Sequence, residues 1–213
     1  MPTLEPLEVV FHMDGTGVVS YPFEPIHLDG LLAYMSLEER GRLTDLDAED
    51  EPVDADLPLA ADERDGSWFW RASALMPDEP SHEGFQMARR KVTMDRVELT
   101  RGTVNMQIGQ TKSYDRPWPL LITAVLRGYC VGDPDAVISL CRRVRQIGAE
   151  RGRGKGRVVS VAVRPVEVDF SVVKNGRAMR YVPDAEGLRV VRPRPPYWHP
   201  RGAVRCLAFG ETL

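Results

Sequence analysis

Four basic side chains alternate with glycines in one short segment of this sequence. The run Glu150-Arg-Gly-Arg-Gly-Lys-Gly-Arg157 places Gly152, Gly154 and Gly156 between the cations Arg151, Arg153, Lys155 and Arg157. Glycine allows the backbone to approach a ligand closely, and exposed N–H groups together with guanidinium groups suit phosphate oxygens. The segment therefore predicts a site for a phosphate-bearing ligand, with a solvated flexible loop as the alternative.

The order of elements around this loop excludes two common phosphate-binding motifs. The loop follows a predicted helix and precedes a predicted strand, whereas a P-loop or a dinucleotide fingerprint follows a strand and opens a helix. The GxxxxGK[ST] spacing is also absent. The preceding helix adds three more cations, Arg142, Arg143 and Arg145. Their presence beside the loop favours an anion-binding surface over an idle flexible segment.

His27 is the residue best suited to act as a catalytic acid or base. Its imidazole has a pKa near neutral pH, which suits proton transfer without a metal, and Tyr34 or Lys112 could assist it. No partner stands at a defined spacing from His27, however, and most buried or capping histidines have a structural role. The sequence therefore favours a non-catalytic chain and leaves catalysis by His27 as the alternative.

The sequence contains no pattern typical of a metal or cofactor site. The acidic run from Asp45 to Glu51 lacks the central glycine and terminal glutamate of a calcium loop. Cys130, Cys141 and Cys206 form no CxxC pair and stand among apolar residues, so we expect reduced thiols in the core of a cytoplasmic protein. We also expect no membrane contact, because no apolar run reaches the length of a span and no secretory signal is visible.

Charge is distributed unequally along the chain. The net charge of −3 conceals a first part, residues 1–84, with 20 acidic and 4 basic side chains. Residues 85–213 hold 24 basic and 11 acidic side chains. This asymmetry suggests that the second part contacts a polyanion. The alternative is that the two parts neutralise each other within the fold.

The first part of the chain predicts a strand, a short helix and an insertion. Residues 4–13 alternate apolar side chains with Glu8 and His12, as in a strand with one buried face. Residues 27–35 place apolar side chains at helical spacing. Residues 41–66 are mostly acidic or small, which predicts an acidic surface insertion. A second strand is predicted at Trp68–Ser73.

The middle of the chain predicts a protruding β-hairpin followed by a central strand. Residues 85–118 contain Arg89-Arg90-Lys91, two strand-like runs and two glycines, so we interpret them as a thumb-like hairpin inserted in the domain. Leu120–Arg127 is apolar on both faces, which is typical of a central strand.

The remaining residues predict a capped helix, a strand and a C-terminal β extension. Asp133 is a good N-cap before Pro134, and an apolar stripe continues to a helix end near Gly148. A strand with alternating valines follows the glycine-rich loop. Pro165 interrupts it, and alternation on the other parity suggests a bulge or new strand over 166–170. Asn175-Gly176 predicts a hairpin turn within a β extension over 166–213.

The order of strand, helix, strands, helix and strand is that of a split βαβ, or ferredoxin-like, domain. We therefore predict an α+β fold and a single domain over residues 1–213. The hairpin at 85–118 and the C-terminal β extension are additions to that core.

Three segments of the sequence resemble a known family. A basic glycine-rich loop between the second helix and last strand of a ferredoxin-like domain is found in the RAMP proteins of CRISPR systems. The segments Pro25-Ile-His-Leu-Asp-Gly-Leu-Leu-Ala33, Gly109-Gln-Thr-Lys-Ser-Tyr-Asp-Arg-Pro-Trp-Pro-Leu120 and Ile147–Val158 are similar to the Cas-five-type subunit of type IV CRISPR complexes. The resemblance extends over most of the chain, apart from the acidic insertion and the C-terminal tail.

The resemblance implies an RNA-binding role within a ribonucleoprotein. Subunits of this type cap the 5′ handle of a CRISPR RNA, contact the Cas-seven-type backbone subunit and the large subunit, and meet target DNA indirectly, with a role in protospacer-adjacent motif recognition left open. Sequence recognition then belongs to the guide, while protein holds backbone and shape. The candidate RNA-binding residues outside the loop and its preceding helix are Arg89, Arg90, Lys91, Lys112, Tyr114 and Arg116.

Two other functions remain as alternatives. Related RAMP proteins cleave precursor CRISPR RNA without metal and use a histidine near the first helix, so His27 is the candidate acid or base of an endoribonuclease. A purely structural assembly protein would make no RNA contact. Tyr114 and Trp118 could stack on bases, as aromatic residues do with single strands, or pack beneath the hairpin.

Overall fold

The computed structural model describes residues 3–19, 24–43, 54–90, 114–149 and 151–213. Two α-helices, α1 (Leu28–Glu39) and α2 (Pro134–Cys141), lie in these ranges. The strands, in chain order, are β1 (Glu5–Met13), β2 (Val18–Val19), β3 (Ala61–Arg64), β4 (Ser67–Trp70), β5 (Met76–Pro77), β6 (Ser81–Arg90), β7 (Tyr114–Thr123), β8 (Val125–Gly132), β9 (Val158–Pro165), β10 (Val173–Lys174), β11 (Arg177–Ala178), β12 (Val182–Pro183), β13 (Arg189–Val191) and β14 (Val204–Leu207). Mostly antiparallel sheets with two helices agree with the predicted α+β class. Neither helix is long and apolar enough to cross a membrane.

A four-stranded antiparallel sheet lies at the centre of the fold. Its strand order is β5-β8-β1-β9, so β1 pairs with strands that come more than one hundred residues later in the chain. Leu7, Val9 and Phe11 alternate along β1 and are fully buried in the main core, while His12 on the other parity is exposed. The predicted strand and its buried apolar face are therefore confirmed, but the opposite face is not fully exposed, because Glu8 and Val10 are also buried.

Two helices cover the core side of this sheet. Helix α1 contacts β8 and α2, and α2 contacts β9. The predicted cap of α2 is confirmed, because the Asp133 carboxylate accepts a hydrogen bond of 2.9 Å from the Ala136 backbone N–H. The predicted length was wrong: α2 ends at Cys141, well before Gly148. Val144 and Ile147 still reach the same core from the turns that follow, which explains the long apolar stripe in the sequence.

The central strand predicted at Leu120–Arg127 was wrongly placed. The chain breaks at Ala124, so that β7 joins a second sheet of order β2-β7-β6 and β8 takes the central position. The Thr123 hydroxyl forms the break by donating to the Val125 carbonyl at 2.8 Å and accepting from the Val125 N–H at 3.2 Å. Two consecutive apolar strands in different sheets look like one buried strand in the sequence.

The hairpin predicted over 85–118 starts and ends in described strands. Strands β6 and β7 pair along ten residues, from Ser81 with Thr123 to Arg90 with Tyr114. Residues 91–113, including Lys91 and Lys112, lie outside the described residues. The thumb-like hairpin therefore stays a prediction.

The acidic segment over 41–66 is a surface insertion only in part. Residues 44–53 lie outside the described residues, but Ala55, Leu57 and Leu59 are at most 6% exposed and belong to the main core. Alternation of these apolar residues with Asp54 and Asp56 allows one side of the segment to be buried while its acids face outward. The acidic composition concealed that alternation.

The C-terminal β extension differs from its predicted form at its start. Of the bulge or new strand predicted over 166–170, the new strand is wrong, because residues 166–172 form no strand. Val166 still donates to the Pro6 carbonyl at 3.0 Å, and the chain bends after it. The predicted turn is confirmed: Asn175 and Gly176 have φ values of 52° and 72° and join β10 to β11. Strands β12, β14 and β13 then form a small sheet. Cys130, Cys141 and Cys206 are fully buried free thiols, as predicted.

Candidate nucleic-acid interface

The glycine-rich loop is fixed to the fold at both ends. Its first residues form a 3-10 turn, Arg151–Arg153, and the Gln146 side-chain amide donates to the Arg151 carbonyl at 2.9 Å and to the Lys155 carbonyl at 3.4 Å. Backbone hydrogen bonds join Ala149 N–H to the Val19 carbonyl and Gly156 N–H to the Gly17 carbonyl, both at 2.8 Å. These hydrogen bonds anchor the described residues of the loop, 151–157, to the fold as an arch.

Gly156 is the glycine that the arch requires. Its φ of 65° lies in the left-handed region, and an added Cβ would stand 1.9 Å from the Ile147 carbonyl oxygen. The Ile147 N–H in turn donates to the Gly156 carbonyl at 2.8 Å. Gly152, in contrast, has open space around its Cβ position. Backbone packing therefore requires a glycine at position 156 but not at position 152.

Two of the loop guanidiniums lie over aromatic rings from other elements. Arg151 lies 5.0 Å from the ring centre of Tyr34 on α1, and Arg153 lies 5.0 Å from that of Trp118 on β7. An aromatic face attracts a cation without neutralising its charge. Both side chains are therefore oriented in part by these rings.

The other two loop cations interact with the turn after β1. The Lys155 ammonium donates to the Thr16 carbonyl at 3.0 Å. Arg157 lies close to Asp14, and the pKa of the Asp14 carboxyl is lowered, first by the hydrogen bond from the Thr16 hydroxyl and to a smaller extent by the Arg157 charge. Lys155 therefore helps to anchor the loop, while Arg157 remains exposed at its end.

The cations predicted on the preceding helix lie at or beyond its end. Arg142 caps α2 and is exposed. Arg143 pairs with Glu38 at 3.6 Å and Glu39 at 3.1 Å, so its charge is largely compensated within the fold. Arg145 is exposed, and within the described part of the chain no carboxylate pairs with it. Arg142 and Arg145 are thus the members of this group available to an anion.

A groove separates the end of α1 from the glycine-rich loop, and we call it the Tyr34 groove. It has a volume of about 560 Å³ and is open to solvent. Its main lining residues are Tyr34, Glu38, Arg143, Arg145, Gln146 and Arg151. Sequence reasoning found its cations but missed Glu38 and Gln146, because nothing in their spacing relates them to the loop.

The remaining predicted RNA-binding residues lie on or beyond the strands β6 and β7. Arg89 pairs with Asp115 across the two strands at 3.2 Å, with both side chains exposed. Arg90 is opposite Tyr114, and Arg116 opposite Ala88, in the strand register. Lys91 and Lys112 are outside the described residues. Trp118 connects β7 to the loop through Arg153.

His27 is buried and has an aromatic environment. Its ring stacks on Tyr197 at 4.3 Å and lies at a tilt 4.9 Å from Tyr181, and neither ring nitrogen has a hydrogen-bond partner within the described part of the chain. Burial, and secondarily the Arg180 charge, hold the pKa of His27 well below its usual value. The imidazole is therefore neutral at pH 7 and has no contact with the loop cations.

The charged residues that sequence reasoning missed lie beneath His27. Arg180 and Asp29 are fully buried 3.3 Å apart, and the Tyr197 hydroxyl lies within 2.8 Å of both Asp29 carboxylate oxygens. Arg180 also donates to the Ala72 carbonyl at 2.9 Å. Burial raises the pKa of Asp29 against the opposing effect of Arg180. An isolated arginine between Met179 and Tyr181 gives no sequence signal of its partner.

Ion pairs within the fold join acidic residues of the first part of the chain to arginines of the second part. Among the described residues, acids of the first part pair with arginines of the second at Glu8, Asp29, Glu38, Glu39, Asp54 and Asp78. At Glu8, burial alone would raise the pKa, but hydrogen bonds and charges of Arg164 and Arg127 outweigh it and lower that pKa. Mutual neutralisation therefore explains part of the asymmetry, since these pairs involve six of the 20 acids in residues 1–84.

The fold and the site together define an α+β protein that carries an anchored, glycine-rich cationic loop. Comparison with known families is more specific. The family described as CRISPR type IV associated protein Csf3 matches residues 5–208, so the chain belongs to this family. It is therefore a Cas-five-type subunit of a type IV CRISPR system, as the resemblance of its three segments predicted. No curated protein sequence matches the chain.

Proposed function

We propose that this chain is a non-catalytic subunit that caps the 5′ handle of the CRISPR RNA in a type IV complex. Family membership supports a place in such a complex. The observation that carries the RNA-binding role is the glycine-rich loop, which is anchored by backbone hydrogen bonds while Arg151, Arg153 and Arg157 stay exposed on it. Oriented guanidiniums on a fixed backbone are suited to successive phosphates of a single strand.

The arrangement of the central sheet supports a ferredoxin-like RAMP core for this role. Counting only the strands of that sheet, β5, β8, β1 and β9 are the second, third, first and fourth in the chain. All neighbours are antiparallel, with α1 following the first strand and α2 preceding the last. This is the order of a split βαβ domain. The glycine-rich loop then stands between the second helix and the last strand of the core.

The environment of His27 supports a non-catalytic role over an endoribonuclease. A general base must reach the proton that it abstracts, either directly or through one water molecule. His27 is 5% exposed and packs against the rings of Tyr181 and Tyr197. This position suits packing at the start of α1 and offers no access to a 2′-hydroxyl group.

Contacts with other subunits complete the proposal. The Cas-seven-type backbone subunit and the large subunit are the expected protein neighbours, and target DNA is met through the guide. Strands β6 and β7 carry exposed apolar side chains, with Phe85 75% and Met87 46% exposed, which supports a protein contact along that sheet.

The RNA-binding role predicts a change in the salt dependence of affinity. Replacement of Arg151, Arg153 and Arg157 by alanine removes three exposed cations from the loop. Each lost phosphate contact on a single strand should lower the slope of log K against log salt by about 0.7. We therefore expect weaker RNA binding and a slope reduced by about 2. Filter binding of a labelled repeat RNA at several salt concentrations measures both.

A matched variant separates this effect from net charge. Arg189, Arg201 and Arg205 are three exposed arginines of the C-terminal β extension, and their replacement by alanine makes the same change in charge. This control should keep the slope of the unchanged protein. Equal slopes for all three proteins would reject the loop as an RNA site and favour an assembly protein without RNA contact.

A further inference from the structure

We propose that the Tyr34 groove binds one nucleobase of the RNA, and that it prefers a base with an exocyclic amino group. The inference deepens the proposed function and rests on it, because the loop must first bring the strand to the groove. A volume of about 560 Å³ is within the range of small-ligand sites and is sufficient for one nucleotide.

A stacking surface already exists in the groove. The Arg151 guanidinium lies over the Tyr34 ring at 5.0 Å, and Tyr34 itself packs partly against the main core. Single-stranded RNA is bound by stacking its bases on aromatic rings or on guanidinium planes. The Gln146 side-chain amide also holds the backbone of Arg151 in place by donating a hydrogen bond to the Arg151 carbonyl. A base that enters the groove would therefore stack on the outer face of the Arg151 guanidinium, which the Tyr34 ring supports from the other side.

The groove combines a carboxylate that can accept hydrogen bonds from a base with cations that can meet the neighbouring phosphates. Glu38 lines the groove, and Glu39 adjoins it through the shared partner Arg143. Arg143, which also lines the groove, is paired with both carboxylates. Arg145, a further lining residue, and the exposed loop cations offer positions for the phosphates. The strand can thus place its backbone on the loop and one base in the groove beside Glu38.

The polar groups of the groove define the kind of base. Glu38 can only accept hydrogen bonds, and the Gln146 amide nitrogen is occupied by two backbone carbonyls, which leaves its side-chain oxygen as the acceptor. Two acceptors match the amino group of cytosine, adenine or guanine. Uracil presents a carbonyl at the position where cytosine has its amino group, so it would place an acceptor against an acceptor.

Two homopolymers test this preference directly. Oligo(C) and oligo(U) of about 12 nucleotides carry the same number of phosphates and differ mainly in the amino group. We expect oligo(C) to bind about tenfold more tightly. Glu38→Gln should remove most of this difference, because the new amide can donate to uracil. Glu39→Gln is the matched control, since it changes the same charge beside the same Arg143 but does not line the groove.

A second pair of variants tests the stacking surface. Tyr34→Leu keeps apolar packing but removes the ring, and we expect it to weaken oligo(C) binding about tenfold without changing the salt slope. Tyr34→Phe keeps the ring and should bind as the unchanged protein does. Thermal unfolding of each variant verifies that the fold is retained.

Failure of this inference is distinguishable from failure of the proposed function. If the three loop arginines matter for RNA binding but oligo(C) and oligo(U) bind equally, or Tyr34→Leu binds normally, the nucleobase site is rejected and the RNA-binding role survives. If the loop arginines have no effect on binding, the proposed function falls and the groove inference with it.

Discussion

His27 occupies a position in which an imidazole serves as an apolar ring. It packs against Tyr181 and Tyr197, and its nitrogens have no hydrogen-bond partner within the described part of the chain. We expect the isolated protein to produce no site-specific cleavage of a labelled repeat RNA in EDTA. Cleavage that disappears in His27→Ala would contradict the non-catalytic role.

The same residue predicts a specific dependence of stability on pH. The pKa of His27 is far below its usual value in the folded protein, whereas the unfolded imidazole titrates near about 6.5. Below that pH the unfolded chain binds a proton that the folded chain refuses, so the free energy of unfolding falls as pH falls. The loss should approach about 1.4 kcal/mol per pH unit until the folded pKa is reached.

His27→Phe provides the comparison, because phenylalanine keeps the ring but cannot titrate. Urea unfolding at pH 7 and pH 5.5 should show a smaller decrease for His27→Phe than for the unchanged protein. His27→Ala should be about 3 kcal/mol less stable than the unchanged protein at pH 7 through the cavity that it creates. The difference should be smaller at pH 5.5, because only the unchanged protein loses stability through His27. Identical pH dependence in the unchanged protein and His27→Phe would mean that His27 is accessible to protons in the fold.

At the scale of elements, the glycine-rich loop depends on one residue more than on its overall glycine content. Gly156→Ala would introduce a Cβ 1.9 Å from the Ile147 carbonyl at a positive φ, while Gly152→Ala meets open space. We expect Gly156→Ala to lower stability by about 2 kcal/mol or more and to weaken RNA binding. Gly152→Ala should preserve both properties. Thermal unfolding and filter binding of the two variants provide the measurement, and equal behaviour would show that the arch is not rigid.

Local patterns predicted several elements well because their causes are local. The alternation in β1, the Asp133 cap of α2 and the Asn175-Gly176 turn each depend on neighbouring residues alone. The break at Ala124 and the end of α2 at Cys141 depend on the sheet or core region against which each apolar residue packs. The pattern of a single sequence does not reveal those tertiary contacts. The loop cations were predicted for the same local reason, whereas Glu38 and Gln146 of the Tyr34 groove required the tertiary fold.

At the scale of the whole molecule, a buried ion pair joins helix α1 to the C-terminal β extension. Asp29 on α1 and Arg180 in the C-terminal β extension are both fully buried. Asp29→Ala would leave a buried guanidinium without its counter-charge, and Arg180→Ala would leave a buried carboxylate. Each should lose about 3–5 kcal/mol of unfolding free energy, and the double variant should lose less than the sum. Urea denaturation measures all three, and strict additivity would indicate that the pair is not coupled.

The pairing of β1 has a consequence for biosynthesis. This strand is translated early, but its neighbours β8 and β9 are separated from it by more than one hundred residues. Strand β1 therefore emerges from the ribosome and stays unpaired until β8 and β9 have been synthesised. During that interval the excess of acidic side chains over residues 1–84 repels neighbouring chains and nucleic acid alike. The early acids thus act as a temporary solubilising segment before they become the counter-charges of the finished fold.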